Sequence, residues 1–222
     1  AKDYLRCVKG IDENVGRLRD FLEQENILEN TIVIYTSDQG MYVGEHGLFD
    51  KRLGFAPAMQ MPLIIRYPKS IQAGTVWDGL ANNVDYAKTL LEMGGISAPS
   101  SLQGHSFWQA ATHGQPSPRK QSLYHFYSNG VSKHYGLVTD THKLLKYVDK
   151  NGDPIGSDLF DRRQDPLEQR NLAANPEYQS LLEKTEKRLA TELKSIGLTE
   201  ALLPGKALTG KAEASASDST QP

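Results

Sequence analysis

Residues able to bind a metal ion or an anion lie close together between positions 31 and 52, in TIVIYTSDQGMYVGEHGLFDKR. Asp38 offers an anionic carboxylate oxygen and Gln39 a neutral amide oxygen, and hard cations such as calcium and magnesium prefer oxygen ligands. Gly40 lets the backbone turn sharply beside such an ion. Two ligands do not complete a metal site, so any further ligands must come from elsewhere. Taken alone, Ser-Asp-Gln-Gly is also a common turn composition, and a merely polar loop stays open as an alternative.

His46 and Lys51 add chemistry suited to an anion. Lys51 follows Asp38 by thirteen positions, and a lysine beside a metal neutralises a tetrahedral oxyanion and stabilises charge on a leaving oxygen. A histidine there donates a hydrogen bond to the same group or protonates the leaving group. The plainer alternatives are a loop imidazole bonded to backbone and a solvated Lys51-Arg52 pair.

The elements that position these residues are predicted by hydrophobic periodicity. Residues 31–36 form a near-continuous β-branched and aromatic run, typical of a strand covered on both faces, as in the parallel sheets of α/β folds. Residues 62–67 predict a second such strand, and Asp85 is predicted to cap a helix over 86–93 that stops at Gly94 and Gly95. Ligands of open α/β sheets collect beyond the carboxyl ends of the strands, where Asp38 and Gln39 lie. Spacings of three and four predict a leading amphipathic helix with this apolar stripe: Tyr4, Val8, Ile11, Val15, Leu18 and Leu22.

The second half of the chain has a different character. Short aromatic and β-branched segments over residues 121–127, 135–139 and 142–148 predict strands, and the Lys-Asn-Gly-Asp turn at 150–153 predicts an antiparallel hairpin. A final helix is expected from 178 to 196, entered through Asn175-Pro176. Residues 201–222 are mostly small and polar, which predicts a disordered tail.

Composition excludes some classes of function. The chain has 222 residues and a formal net charge of −2, which does not favour nucleic-acid binding. No apolar stretch approaches the ~20 residues that span a bilayer.

The first residue is Ala1 and no signal-peptide pattern follows it, so we expect a piece of a longer chain. The single cysteine, Cys7, leaves the redox compartment open and is expected on the helix, buried or partly so.

The motif string TSDQGMYVGEHGLFDKR resembles the second signature region of the type I (formylglycine-dependent) sulfatases of the alkaline phosphatase superfamily. That family's pattern is a strand, Ser-Asp-(Asn/His/Gln)-Gly, Gly-Glu-His-Gly and then Lys. The flanking stretches resemble the same family over roughly residues 4–198: IDENVGRLRDFLEQENILENTIVIYTSD, MPLIIRYP, NNVDYAKTLLEMGGI and SDLFDRRQDPLEQRNLAANPEY. The resemblance covers only the family's C-terminal half.

The resemblance implies a fold and a division of the chain. The fold is α/β: part of an alkaline-phosphatase-like mixed or parallel sheet flanked by helices, plus a small C-terminal antiparallel sheet with a packed helix. Residues 1–115 are expected to belong to the catalytic α/β domain and residues 116–200 to a C-terminal α+β subdomain. The localisation favoured by the resemblance alone is periplasmic or secreted, and the sequence makes no prediction of oligomeric state.

The resemblance also implies roles for the candidate residues. Asp38 and Gln39 become ligands of calcium, with magnesium less favoured, Lys51 contacts the substrate sulfate, and His46 lies in or beside the pocket. The nucleophile of the family is a formylglycine made from the cysteine of Cys-x-(Pro/Ala)-x-Arg, which belongs to the N-terminal half together with an Asp-Asp pair that completes the metal site. Cys7 does not match that motif, because it begins Cys-Val-Lys-Gly-Ile, with Lys9 at the Pro/Ala position and Ile11 at the arginine position. The chain alone is therefore expected to be inactive.

The sequence also departs from the family pattern in one segment, and it leaves two alternative functions open. Residues 55–60 read Phe-Ala-Pro-Ala-Met-Gln where the family often has Tyr-Glu-Glu-Ser-Leu-Arg, and Pro57 is expected to restrict a local helix to starting near it. His105 is expected to be structural or on the surface, and the other histidines without motif support are expected to be ordinary loop or strand residues: His113, His125, His134 and His142. The implied function is hydrolysis of an organic sulfate ester, with sulfated carbohydrates as candidate substrates. The alternatives are a phosphodiesterase or phosphonate monoester hydrolase of the same superfamily, and a non-catalytic relic of the fold.

Overall fold

The computed structural model describes residues 2–127 and 132–198. The helices and strands alternate in the first half and separate in the second, as the sequence predicts. In chain order they are α1 (Lys2–Gln24), β1 (Val33–Thr36), β2 (Tyr42–Val43), β3 (Phe49–Asp50), α2 (Ala56–Met59), β4 (Leu63–Arg66), α3 (Tyr86–Met93), α4 (Trp108–Thr112), β5 (Gln121–Phe126), β6 (Lys133–Thr139), β7 (His142–Val148), β8 (Pro154–Asp161) and α5 (Gln179–Ser195).

The strand that leads into the candidate site pairs with the next predicted strand. β1 runs antiparallel to β4, with Val33 opposite Arg66 and Thr36 opposite Leu63. The apolar run of β1 alone suggested parallel neighbours, and the pairing with β4 is instead antiparallel. The reason is that residues 37–62 make an excursion that carries β2, β3 and α2 and then return to the same edge of β1. A mixed α/β arrangement accommodates this pair.

Helix α1 forms as predicted, but its apolar stripe is largely open. Leu22 is its one buried residue in the described chain, whereas Leu18 is 53% exposed and Val8 42% exposed. Cys7 lies on this helix and is exposed. The expectation that Cys7 is buried or partly so is therefore wrong, because the face of α1 that carries it meets no packing partner among the described residues.

The C-terminal half forms the predicted antiparallel sheet and helix. Its four strands are ordered β5-β6-β7-β8, every neighbouring pair is antiparallel, and Gly152 in the predicted turn takes φ 87°. Helix α5 covers one face of this sheet. Buried leucines of the sheet and of the helix pack together on this face. Leu137, Leu144 and Leu159 come from β6, β7 and β8, and Leu189 and Leu193 come from α5.

Helix α3 has the predicted bounds, and Asp85 lies at its N-cap position as predicted, without a side-chain hydrogen bond to the first turn of α3. The Asp85 side chain is 1% exposed and accepts hydrogen bonds from the backbone N–H groups of Asn82 (2.9 Å) and His105 (2.8 Å). Its carboxylate also pairs with the guanidinium of Arg119. Burial by itself raises the pKa of Asp85, but these hydrogen bonds and the Arg119 charge lower it overall. Asp85 therefore ties α3 to the segment before β5 rather than capping the helix with its side chain.

Two earlier predictions are not decided by these elements. The tail of residues 201–222 lies outside the described residues. The division of the chain into two parts at residue 115 stays a prediction. Residues of the two parts make direct contacts, which are described below. Within the described part of the chain, no helix combines the length and apolarity needed to cross a bilayer.

Candidate active site

Asp38 and Gln39 leave the end of β1 on a short loop, residues 37–40, called here the Asp38 loop. Asp38 is exposed and accepts a hydrogen bond from the Ser37 hydroxyl at 3.3 Å. The last strand residue, Thr36, has its hydroxyl 3.1 Å from the phenol oxygen of Tyr86 on α3. The loop thus begins from a strand end that a helix holds in place, and its carboxylate faces out.

Gly40 packs the Asp38 loop tightly against α2. Its N–H donates to the carbonyl of Ala58 at 2.9 Å. A Cβ at this position would lie 2.0 Å from the Pro57 carbonyl oxygen and 2.5 Å from that of Gln60. Only glycine fits so close to another backbone, so the loop and the helix are fixed relative to each other.

The short β2–β3 ladder brings Lys51 back towards the Asp38 loop. Tyr42 lies opposite Asp50 and Val43 opposite Phe49, so Lys51 follows the ladder at the end that lies nearest to residue 41. Arg52 donates to the Asp50 carboxylate at 2.9 Å. Lys51 is exposed and, among residues 2–127 and 132–198, forms no ion pair. Its ammonium group is therefore available to an anion.

His46 is held by ring stacking on the same part of the chain. It takes φ 55° within the turn Glu45–Gly47. Its imidazole stacks on Phe55 with ring centroids 4.3 Å apart and meets Tyr42 edge-on at 6.5 Å. The neighbouring Glu45 accepts a hydrogen bond from the N–H of Val43 at 2.6 Å, which lowers the pKa of its carboxyl group. His46 is thus an exposed residue on a turn that ring contacts with Phe55 and Tyr42 hold in place.

These contacts converge on residues 53–60, which we call the anchor segment. The Tyr42 hydroxyl donates to the Leu53 carbonyl at 2.7 Å and accepts from the N–H of Phe55 at 3.1 Å. Burial raises the pKa of Tyr42, so the hydroxyl stays protonated and keeps this bridge. Ala56 and Ala58 are buried, at 7% and 6% exposure. The Phe-Ala-Pro-Ala departure from the family pattern is thus a packed turn of helix that begins beside Pro57, as predicted.

Two residues that the sequence reasoning missed complete the anchor. Lys143 on β7 donates to the carbonyl of Gly54 at 3.0 Å, and Glu168 accepts from the N–H of Ala56 at 2.8 Å. They are 89 and 112 residues away from their partners, and no local pattern carries such contacts. Glu168 does belong to the quoted Asp-Pro-x-Glu stretch, which marked the position without indicating its partner.

The donors available for a metal ion are oxygens in an incomplete set. Within the described ranges, no three residues of the types His, Cys, Asp and Glu cluster in a way that could hold an ion. Asp38 and Gln39 fit one side of a site for a hard cation, since both offer oxygen ligands on a fixed loop. A complete site needs further ligands beside these two.

The fold is a mixed α/β scaffold with a small four-stranded antiparallel sheet and a C-terminal helix, as in known sulfatase structures. Residues 44–195 match the family described as N-sulphoglucosamine sulphohydrolase, C-terminal. The chain belongs to this family, which confirms the resemblance read from the motif string and the predicted fold class.

Individual proteins that are similar to this chain agree with the family match. The chain is 40% identical, over 201 residues, to an N-acetylglucosamine-6-O-sulfatase of Bacteroides thetaiotaomicron, covering 84% of this chain and 36% of that protein. A solved structure of a protein in complex with its substrate D-glucosamine-2-N,6-O-disulfate superposes with a TM-score of 0.78 at 38% identity, covering 84% of this chain and 39% of that one. A crystal structure of a putative sulfatase from Bacteroides fragilis gives a TM-score of 0.77 at 30% identity, with 88% and 42% covered.

The alternative chemistry also has a structural relative. A phosphonate monoester hydrolase of Agrobacterium radiobacter superposes with a TM-score of 0.70 at 21% identity, covering 82% of this chain and 38% of that one. At this identity the likeness concerns the fold alone. The chain spans well under half the length of each of these relatives.

Proposed function

We propose that the protein containing this chain is a metal-dependent sulfatase that hydrolyses an organic sulfate ester. One observation carries the proposal. The Asp38 loop, His46 and Lys51, which the sulfatase motif string singles out, all pack against or adjoin one anchor segment in a chain that is 40% identical to a named sulfatase. We further propose the division into a catalytic part, residues 1–115, and a C-terminal subdomain, residues 116–200.

The candidate substrate is a sulfated amino sugar. Support comes from the names of two relatives, an N-acetylglucosamine-6-O-sulfatase and a protein bound to a glucosamine disulfate. A sulfate group carries negative charge on three oxygens, and the free ammonium of Lys51 suits one of them. Charge neutralisation by a positioned cation contributes most where charge builds up in the transition state.

Asp38 and Gln39 would hold the metal ion, and calcium fits two oxygen donors on an exposed loop better than the stricter octahedral demands of magnesium. When bound, the ion supplies positive charge beside the sulfate oxygens. Lys51 binds the sulfate from the side of the β2–β3 ladder. In this proposal His46 donates a proton or a hydrogen bond to the leaving oxygen. The nucleophile, a formylglycine by family resemblance, must come from the part of the protein that precedes this chain.

The test is a comparison of substrates by the full-length protein. We expect it to hydrolyse N-acetylglucosamine 6-sulfate at least ~100-fold faster than a phosphonate monoester, with activity lost on chelation and restored best by calcium. Asp38→Ala should abolish the response to calcium, while Asp12→Ala, an exposed acid on α1, should leave it unchanged. Faster turnover of the phosphonate would favour the alternative hydrolase, and absence of turnover on both would favour the relic.

A further inference from the structure

An ion pair is buried between the two halves of the chain. The Lys143 ammonium lies 2.6 Å from the Glu168 carboxylate, and the two side chains are 2% and 1% exposed. Burial lowers the pKa of Lys143, and the charge of Glu168 opposes that effect. Taking two charges out of water is energetically costly, and the cost is offset only when the geometry and the additional hydrogen bonds are good. A buried ion pair is by itself weak evidence for a stabilising role. The role of this pair is therefore inferred from the additional hydrogen bonds that its two side chains form.

Each member of the pair also forms a hydrogen bond to the backbone of the anchor segment. Lys143 donates to the carbonyl of Gly54, and the second oxygen of Glu168 accepts from the N–H of Ala56. The two groups therefore hold one backbone turn from both sides. Hydrogen bonds to charged groups are about twice as strong as neutral ones, so this turn is held more firmly than an ordinary loop.

The local backbone is shaped to allow these contacts. Glu168 takes φ 54°, a left-handed conformation that is strained for a non-glycine residue. Gly54 approaches the sheet so closely that a Cβ would lie 2.9 Å from the Tyr124 ring and 3.0 Å from Leu145. Strain at one partner and close approach at the other indicate that the geometry of this contact is tightly specified.

The anchor segment leads directly to the candidate site. Lys51 lies three residues before Gly54, Phe55 carries the stacked His46, and Ala58 accepts the hydrogen bond from Gly40 of the Asp38 loop. A shift of the 54–56 turn would therefore move the sulfate-binding lysine and the metal-binding loop relative to each other.

We propose that Lys143 and Glu168 are positioning residues, by which the C-terminal subdomain sets the geometry between Lys51 and the Asp38 loop. This inference rests on the proposed function for its effect on sulfate. Its structural part, that the pair immobilises the anchor segment, does not. Neither residue contacts the substrate in this proposal, so each acts through the backbone that it holds.

The test uses the full-length protein with three variants and a matched control. Glu168→Gln keeps the shape and removes one charge, and Lys143→Met removes the other. The double variant removes both, and it is expected to fold even where a single change does not, because loss of both charges leaves no buried ion unpaired. The control is Lys146→Met on the same strand, since Lys146 pairs with Glu186 of α5 and makes no bond to the anchor segment.

Two readouts are taken well below the unfolding temperature of each variant. Hydrogen–deuterium exchange of the peptide covering residues 45–56 should be about tenfold faster in the Lys143 and Glu168 variants and unchanged in the control. The inhibition constant of inorganic sulfate should rise by about tenfold in the same variants, with little change in the control even where its unfolding temperature falls. A general loss of stability would move the unfolding temperature without separating these variants from the control.

Exchange and sulfate inhibition equal to those of Lys146→Met would overturn the inference. Faster exchange with unchanged sulfate inhibition would also overturn it, because the anchor would then be held without setting the site. If the wild-type protein neither binds sulfate nor hydrolyses the ester, the proposed function has failed. The exchange measurement then still decides whether the pair immobilises the segment.

Discussion

His134 is fully buried on β6 inside a set of aromatic rings. The ring centroids of Tyr124, Phe126 and Tyr147 lie 5.1 to 5.3 Å from its own. One ring nitrogen bonds to the Ser132 carbonyl at 2.8 Å, and the other has no partner in the described structure. Burial lowers the pKa of His134. The sequence predicted an ordinary strand histidine, and its surroundings keep it neutral.

This burial predicts a loss of stability in mild acid. The pKa of His134 is lower in the folded state than its ordinary value of 6.5, so below that pH the unfolded chain binds a proton that the folded chain does not. Stability is thus fully present above pH 6.5 and falls as the pH approaches the folded value, by up to about 1.4 kcal/mol per pH unit. Urea unfolding between neutral pH and about pH 5.5 measures this slope.

His134→Phe should make the slope shallower, while the control His113→Phe, at an exposed position, should not. His125, whose pKa is also lowered by burial, is expected to supply a remaining slope. Equal slopes in the wild type and in His134→Phe would contradict the prediction.

At the scale of elements, local patterns located the helices and strands and missed what joins them. The predicted bounds of α3 match the structure, and the turn at 150–153 joins the predicted hairpin. Asp85 lies at the predicted N-cap position of α3, but its carboxylate pairs with Arg119, 34 residues away, which no local pattern predicted. Lys143 and Glu168 went unnoticed for the same reason. Periodicity reports which face of an element is apolar, whereas these contacts depend on how distant elements meet.

The contact between the Asp38 loop and α2 predicts a severe effect of Gly40→Ala. The added Cβ would fall 2.0 Å from a carbonyl oxygen, so the loop must move away from α2. We expect a loss of about 1–3 kcal/mol in unfolding free energy, the range of overpacking changes. We also expect weaker calcium binding, which titration calorimetry of the full-length protein measures.

The matched control is Gly10→Ala in α1, where nothing lies within 4 Å of the added Cβ. It should stabilise the helix by roughly 0.5–1 kcal/mol and leave calcium binding unchanged. Unaltered calcium affinity in Gly40→Ala would mean that α2 does not hold the loop in a binding geometry.

At the scale of the whole molecule, the chain carries the residues proposed for one side of a site and, within the described ranges, an open apolar face. The exposed apolar residues of α1 border a groove that reaches β1 and β4, where Ile64 is 62% exposed. The chain covers 36% of the length of its relative from Bacteroides thetaiotaomicron. The nucleophile motif of the family does not occur in its sequence. The candidate site residues and the absence of the nucleophile motif were both predicted from the sequence, because each depends on a contiguous motif.

These features predict that the 222-residue chain alone has no sulfatase activity and low solubility. The full-length protein should hydrolyse the sulfate ester under the same conditions. Assays of both at equal concentration, with calcium in excess, check this expectation. Robust turnover by the isolated chain would show that the site is complete without any preceding residues.

Lys51 is the proposed contact for the substrate sulfate. The measurement is the inhibition constant of inorganic sulfate for full-length Lys51→Met, with Arg52→Met as the control, because Arg52 is engaged with Asp50. We expect sulfate binding to weaken by roughly 100-fold in Lys51→Met and to change little in Arg52→Met. Equal sulfate affinity in Lys51→Met and in the wild type would contradict the assignment of this loop as part of a sulfatase active site.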